Sequence, residues 1–362
     1  MKPLIAKVAL DVPLDKLFDY LAPEGELLQV GQRVSVPFGP RKMVGVIVAL
    51  GKHSDVLPAR LKAIAHVFHE TPLLSPEIFR LLHFCSDYYH HPLGEVIFNA
   101  LPTAVRQTKP LTLPKAEYFR LSEAGRQADP AGLPARAVVK RRLLLALREA
   151  GSLRREDLIA LSPSAGTALK SFIGQGWVEE CDGSTSTSPL APAKGEPELN
   201  PAQHQAVEAL CAALGAFRPF LLHGVTGSGK TEVYLRTVVA ALQQGAQVLV
   251  LVPEINLTPQ LEQRFRARFP ATRLVSLHSN LSDGERLKNY LAAQSGQAQI
   301  VLGTRLAVFA PLPRLGLIIV DEEHDASFKQ QEGLRYSARD VAMIRAKQVG
   351  IPIVLGSATP AL

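Results

Sequence analysis

The 362-residue sequence has no run of about 18 apolar residues, so nothing in it reads as a membrane span. Its first twenty residues, MKPLIAKVALDVPLDKLFDY, alternate and carry acids early; they lack the unbroken apolar core of a secretory signal. Cysteine is scarce. Cys85, Cys181 and Cys211 lie far apart with no C-x-x-C pair, which argues against a disulfide framework and a zinc site and suits a reducing cytoplasm. There is no polybasic arm: the net charge of +7 is spread thinly, so charge admits nucleic acid as a partner without requiring it. No internal repeat is present. What remains is an ordinary globular composition, long enough for two or three domains with cores of their own.

Those domains show as changes of pattern. Residues 1–105 are β-rich: short β-branched runs bounded by Gly and Pro, with VPFGPRKMVGVIV as a hairpin turning at Gly39-Pro40. A helical piece follows, SPEIFRLLHFCSDYYHHPLGEVIFNALP, with Ser75 as N-cap and Pro76 in the first turn. A small barrel with appended helix fits. Residues 106–181 open with a Pro-rich connector. The helix PARAVVKRRLLLALREAG then ends at Gly151, and a turn, a second helix and a strand led by Trp177 complete a winged-helix pattern. Lys140, Arg141, Arg142, Arg154 and Arg155 are candidate phosphate contacts there, although a charge run is commonly a solvated face. Residues 182–198, rich in Ser, Thr, Pro and Gly, bury too little to offset their ordering entropy and read as a flexible linker.

Residues 199–362 alternate apolar strand and helix, the signature of a parallel sheet covered on both faces. The first strand ends in GVTGSGKT, residues 224–231. Gly224, Gly227 and Gly229 let the backbone fold tightly, so that amides of this stretch, Thr226 and Ser228 included, point at phosphate oxygens. Lys230 reaches the β- and γ-phosphates, Thr231 ligates Mg²⁺, and the helix opened by Thr231 adds its positive end. Downstream, LGLIIVDEEH puts Asp321 just past a buried strand as the second Mg²⁺ contact, with Glu322 next to it to polarise a water. A Gly-rich turn alone does not explain Lys-Thr at a helix start.

The order GVTGSGKT, LVPEINLTPQ, GTRLAVFAP, DEEH, GSATP resembles the first motor lobe of a superfamily 2 helicase. LVPEINLTPQ and DEEHDASFKQQEGLRYSARD, with VPL…FDYL, RVSVPFG, DYYHHPLGEV and ALP at the N-terminus, resemble the primosomal protein N′ (PriA) family of replication-restart helicases, over essentially the whole chain. The resemblance implies a multidomain α/β protein: a barrel-like domain binding a DNA 3′ end, a winged-helix domain and one RecA-like lobe. It implies ATP and Mg²⁺ as cofactors, with forked and single-stranded DNA, primosome proteins and single-stranded DNA-binding protein as partners. It also implies residue roles. Gln203 of LNPAQHQAV sits where the family contacts adenine; taken alone it is a helix N-terminus. His324, Ser357 and Thr359 couple hydrolysis to DNA movement, Arg305 of GTR contacts single-stranded DNA, and the aromatic loop Phe328 to Tyr336 senses DNA, its rings stacking on bases. Phe18, Asp19, Gly39 and Lys62 hold the 3′ end: a ring for the base, a carboxylate for the sugar hydroxyl, a cation for phosphate. Without the resemblance Phe18 is a core residue, Asp19 a turn acid, and Tyr336 equally core. The pair His90-His91 lacks a third ligand and reads as structural.

The last strand delivers GSATP, which in such motors hands the chain to a second lobe whose arginine completes the ATP site. The resemblance therefore implies a front portion, without that lobe or the family's cysteine-rich zinc module, so no Zn²⁺ site is expected in this chain. Such a chain would bind ATP–Mg²⁺ weakly and DNA moderately, with little DNA-stimulated ATPase. Three readings compete: the front part of a 3′-to-5′ DNA helicase that restarts replication; a small-molecule kinase, in which GTR and GSATP have no evident job; and a fork-binding module with an inert ATPase fold.

Overall fold

The computed structural model describes residues 4–69, 74–108, 111, 118–134, 137–154, 157–158, 161–162, 164–181, 197–225, 227–254, 259–270 and 272–360. Thr226, Arg155, residues 255–258 of LVPEINLTPQ and nearly all of the expected linker lie outside the described residues. The chain forms two compact units, residues 1–112 with 190–362, and residues 113–189. Among the described residues, no helix is long and apolar enough to cross a membrane.

The N-terminal sheet has strands β1 (Ile5–Leu10), β2 (Phe18–Leu21), β3 (Arg33–Phe38), β4 (Arg41–Gly51), β5 (Lys62–Ala63) and β6 (His66–Val67), in the order β5-β2-β1-β4-β3-β6. The expected hairpin is present: Phe38 faces Arg41 across Gly39-Pro40, and Gly39 has φ +57 at the position that a type II′ turn reserves for glycine. A bulge between Lys7 and Val8 shifts the register and curls the sheet. Its inner face packs Ala6, Val8, Leu10, Val34, Val36 and Ile47 into one core, so the barrel-like domain expected takes the form of a curled half-barrel.

The helical piece is two helices, α1 (Pro76–Tyr89) and α2 (Leu93–Ala100). Ser75 caps α1 by accepting from the Ile78 amide. The break comes at His90, which takes the left-handed conformation (φ +49) that ends helices. His91 pairs with Glu95 at 2.8 Å. Both histidines therefore have structural work.

Helix α1 docks on the motor lobe. Ile78, Leu81, Leu82 and Cys85 share one buried cluster with Val301, Ile318, Val341 and Ala342. Within this interface Arg345, fully buried, grips Glu77 with two nitrogens at 2.9 and 3.2 Å and donates its third contact to the Val308 carbonyl at 2.7 Å. The Tyr89 hydroxyl accepts from the Ser337 amide at 3.2 Å.

The second unit holds α3 (Glu123–Gln127), α4 (Val138–Ala150) and α5 (Ala165–Gly174), with strands β7 (Tyr118–Leu121), β8 (Ser152–Arg154) and β9 (Val178–Cys181) in the antiparallel order β8-β7-β9. Phe119, Leu143, Leu144, Leu147, Leu169 and Phe172 fill its core. This is a winged helix. Helix α4 begins at Val138 rather than at Pro134, and β7 and β8, unread in the sequence, complete the sheet beside the wing strand.

The motor lobe starts with α6 (Pro201–Ala212). Then follow β10 (Pro219–His223), α7 (Lys230–Gln243), β11 (Gln247–Leu251), α8 (Pro259–Arg268), β12 (Leu274–Leu277), α9 (Asp283–Gln294), β13 (Ile300–Gly303), β14 (Leu315–Val320), α10 (Ala338–Val349) and β15 (Ile353–Ser357). All strand pairs are parallel, in the order β10-β15-β14-β11-β13-β12. Period-2 alternation supplies both faces: Val248 and Val250 enter one core, Leu249 and Leu251 the other. The capping box of α9, Ser282 with Glu285, forms as expected.

Candidate functional site

Strand β10 and strand β14 flank β15, so GVTGSGKT, GSATP and DEEH leave the same edge of one parallel sheet. Carboxyl ends of parallel strands are where open α/β sheets bind ligands. A cavity of about 800 Å³ lies there, lined by Ser228, Gly229, Lys230, Thr231, Asp321 and Glu322 among others. Gly227 and Gly229 have φ of +82 and +84, the conformations a phosphate loop needs. Helix α7 starts at Lys230, one residue before the expected Thr231, with Gly229 as its N-cap.

Gln203 belongs to this site. Its amide nitrogen donates to the Ser228 carbonyl at 2.9 Å while its oxygen completes a capping box with Asn200. A Cβ on Gly229 would stand 2.3 Å from that nitrogen and displace the Gln203 amide, and the φ of +84 at this position itself favours glycine. Lys230 Nζ donates to the Gly224 carbonyl at 2.7 Å and lies 3.5 Å from Glu322. The Asp321 carboxyl accepts from the Tyr234 hydroxyl at 3.0 Å. Burial pushes the Asp321 carboxyl above the ordinary range; the Tyr234 bond and Lys230 oppose that, and Glu322 adds to it. Among the described residues no cation lies within ion-pair distance of Asp321. One hydroxyl at Thr231 and one desolvated carboxylate at Asp321 form a hard-oxygen donor set that suits Mg²⁺ alongside phosphate oxygens. Elsewhere among the described residues, no cluster of three His, Cys, Asp or Glu side chains is arranged to hold a metal.

The DEEH and GSATP segments are joined directly. His324 Nδ1 and Ser357 Oγ are 2.7 Å apart, Ser357 Oγ accepts from the Thr359 amide at 3.1 Å, and the Glu323 amide donates to the Gly356 carbonyl. Glu322 sits between Lys230 and His324, 3.8 Å from the latter, and has φ +47, a left-handed value rare for a non-glycine. Arg305 donates to the Ser327 carbonyl at 3.2 Å, at the start of the aromatic loop.

That loop corrects one expectation. Phe328 and Tyr336 are 2% and 0% exposed. Tyr336 packs against Phe309 with ring centroids 5.1 Å apart. Neither ring is open to stack on a base; both are core in this arrangement, because the neck of the loop is closed by the Gln330–Tyr336 and Lys329–Ser337 pairings. The Tyr336 and Ser327 hydroxyls are left buried without hydrogen-bond partners.

In the N-terminal sheet, Phe18 and Asp19 lie on β2, next to Lys62 on β5 through the Tyr20–Lys62 pairing. Phe18 meets Phe38 edge-on at 5.2 Å, which brings it beside the Gly39 turn. Phe18 and Asp19, neighbours on one strand, point to opposite faces of the sheet: Phe18 packs against the inner core, and Asp19 faces Lys7 and Ser54. Asp19 accepts from Ser54 Oγ at 2.6 Å and from Lys7 Nζ at 3.2 Å. In the winged helix, Arg141 donates to the Pro130 and Leu133 carbonyls, Lys140 to Ser171, and Arg148 to the Arg126 and Ala128 carbonyls. Those cations knit the unit together.

Sequence reasoning missed Tyr234, Ser54, Lys7 and the pair of buried Glu323 with part-exposed Arg339 at 3.0 Å. Tyr234 had a signal: it lies one helical turn beyond Lys230, on the same helix face. Ser54 and Lys7 had none, since only folding brings them to Asp19.

A parallel sheet with a phosphate loop, an acidic strand end and GSATP between them defines the first lobe of a superfamily 2 helicase. Residues 200–361 match the DEAD/DEAH box helicase family, and residues 7–102 match the 3′ DNA-binding domain family of PriA. The chain is 41% identical to the replication restart protein PriA of Haemophilus influenzae, covering 99% of this chain and 49% of that protein. It is 35% identical to the one from Synechocystis (99% and 52%) and 36% identical to the one from Treponema pallidum (98% and 44%). Among solved structures, RecG bound to a three-way DNA junction is similar at 23% identity and TM-score 0.37, over 54% of this chain and 23% of that one. The chain belongs to the replication restart protein PriA family, and spans about half the length of the curated relatives it matches.

Proposed function

We propose that this chain carries the 3′-end-binding domain, the winged-helix domain and the first motor lobe of an ATP-dependent 3′-to-5′ DNA helicase that recognises stalled or forked DNA and restarts replication by primosome assembly. The observation that supports it most is the convergence of Lys230, Asp321, Glu322 and Ser357 at one edge of one sheet.

In this reading the loop amides and Lys230 hold the triphosphate, and Gln203 meets the adenine. Thr231 and Asp321 would hold Mg²⁺, which would supply charge neutralisation at the phosphates. Lys230 exchanges its bond to the Gly224 carbonyl for phosphate oxygens, which frees Glu322 from its ion pair. Glu322 then accepts a proton from the attacking water. His324, in contact with Ser357, carries the change at Glu322 to GSATP and on to the DNA side, where Arg305 lies. Phe18, Asp19, Gly39 and Lys62 take the 3′ end of a nascent strand, Asp19 accepting from the terminal hydroxyl. Primosome proteins and single-stranded DNA-binding protein are the proposed protein partners, and the cytoplasm the proposed site of action.

The test is a pair of titrations on this chain. Lys230→Ala is expected to weaken labelled-ATP binding on the order of 100-fold, as loss of a charged phosphate contact implies, with fork binding unchanged. Forks with a free 3′-hydroxyl arm are expected to bind about tenfold tighter than forks whose arm is 3′-blocked. Equal affinity for both forks would remove the 3′-end assignment; unchanged ATP binding in Lys230→Ala would remove the motor assignment.

A further inference from the structure

Tyr234 is 2% exposed on α7, one turn past Lys230. Its hydroxyl donates to Asp321 Oδ1 at 3.0 Å. The same hydroxyl presses on Gly356, the first residue of GSATP, where a Cβ would stand 1.6 Å from it. Gly356 is not among the glycines with positive φ. Backbone conformation therefore does not require glycine at 356; the tyrosine ring does. One side chain thus touches the phosphate-loop helix, the acidic strand end and the strand between them.

We infer that Tyr234 is a positioning residue for the magnesium site: it fixes Asp321 by one oxygen, leaves the other for the metal shared with Thr231, and ties that placement to the strand end that carries Ser357. The inference rests on the nucleotide–magnesium reading above. An untethered aspartate at a strand end samples several rotamers, and ordering it on binding opposes affinity. Losing an outer partner that orients a ligand typically costs about 10–100-fold in metal affinity. The donor's type matters as well. A lysine or arginine at this place would satisfy Asp321 with a positive charge and repel the metal. A tyrosine hydroxyl holds the carboxylate and adds no charge. Because the ring also sets the packing of Gly356, a shift of Asp321 on metal binding is felt one residue before Ser357, on a path that does not pass through Glu322 and His324.

The test uses this chain, Tyr234→Phe and Gly356→Ala, titrated with a fluorescent ATP analogue in EDTA and across a range of Mg²⁺, with thermal melts on the same samples. Phenylalanine keeps the ring and removes only the donor. Tyr234→Phe is expected to stay folded, to bind nucleotide in EDTA within about twofold of the parent, and to need about tenfold more Mg²⁺ for half-maximal tightening, the factor that a hydrogen bond to a charged group supports. Gly356→Ala, which drives a methyl group into the hydroxyl, is expected to move the Mg²⁺ midpoint the same way; if it does not fold, Tyr234→Phe decides alone. An unchanged midpoint in Tyr234→Phe, or an equal loss of affinity with and without Mg²⁺, overturns the inference and leaves the nucleotide reading standing. No nucleotide binding by the parent chain at any Mg²⁺ concentration overturns both.

Discussion

Asp19 in the N-terminal sheet and Asp321 in the motor lobe are both partly buried aspartates on or just beyond a strand, yet the fold treats them differently. Asp19 faces Lys7 across the β1–β2 register and takes a second bond from Ser54. The donors to Asp321, the Tyr234 hydroxyl and the backbone amide of Glu322, are neutral. A carboxylate with a cation and a hydroxyl is satisfied by folding alone. One that is desolvated and given only neutral donors is held ready for a cation from outside. Glu77 marks the far end of the same scale, gripped twice by a fully buried arginine. The larger unit therefore has carboxylates that build it and one that it keeps available, and substitution should separate the two kinds by sign as well as by size.

The largest effect is expected at the Glu77–Arg345 pair. Arg345→Ala leaves Glu77 unpaired in the interface between α1 and α10 and the Val308 carbonyl without its donor. Breaking a buried pair from one side costs about 3–5 kcal/mol, measured as a fall in unfolding free energy by urea titration. Glu77→Gln combined with Arg345→Met should recover most of that loss, since the packed volume returns and no charge is stranded. A loss below about 1 kcal/mol for Arg345→Ala would place the pair with ordinary surface contacts and remove the builder end of the comparison.

A middle-sized effect is expected at Asp19. Asp19→Asn removes the charge that Lys7 pairs with and leaves one acceptor oxygen where Lys7 and Ser54 each use one. Lys7 is partly exposed, so the loss should be about 1–2 kcal/mol, accompanied by weaker discrimination of a free 3′-hydroxyl and by unchanged nucleotide binding. If 3′-end discrimination survives in Asp19→Asn while stability falls, Asp19 is a builder only, and the comparison with Asp321 becomes sharper.

How far these sites were legible in the sequence follows the same division. The nucleotide site rests on contiguous motifs, each at a strand end, so GVTGSGKT, DEEH and GSATP could be read one at a time and the parallel sheet brought them together. Gly39-Pro40, Ser75 and the Ser282–Glu285 box were legible because turns and caps are local. Partners supplied by distant chain were not: Ser54 and Lys7 at Asp19, Arg345 at Glu77, Tyr89 at Ser337. The aromatic loop was only half legible for the same reason: Phe328 reads as a stacking ring, and Tyr336 stays open between base and core. Composition shows Phe328 and Tyr336 in a polar stretch, and only the packing of Phe309 against Tyr336 shows that they face inward. The split of the helical piece at His90 was hidden because a histidine, rather than the usual glycine, takes the left-handed position.

The smallest expected effect carries the opposite sign and decides most. Burial raises the Asp321 carboxyl pKa, so the fold binds that proton more tightly than the unfolded chain does. The resulting stabilisation is present below the unfolded carboxylate value and is lost as pH rises through the folded one. At neutral pH, without Mg²⁺, the fold therefore carries a desolvated charge. Asparagine is uncharged at every pH and keeps an acceptor for Tyr234. Asp321→Asn should thus melt above the parent chain at pH 7 in EDTA, by about 1 kcal/mol or less, and the gap should close as pH falls below about 4, where the parent carboxyl is itself protonated. Mg²⁺ with nucleotide should reverse the order by stabilising only the parent. Asp19→Asn, the same chemical change, should melt lower than the parent at pH 7. If Asp321→Asn also melts lower in EDTA, the fold already satisfies that carboxylate, and the two aspartates are of one kind.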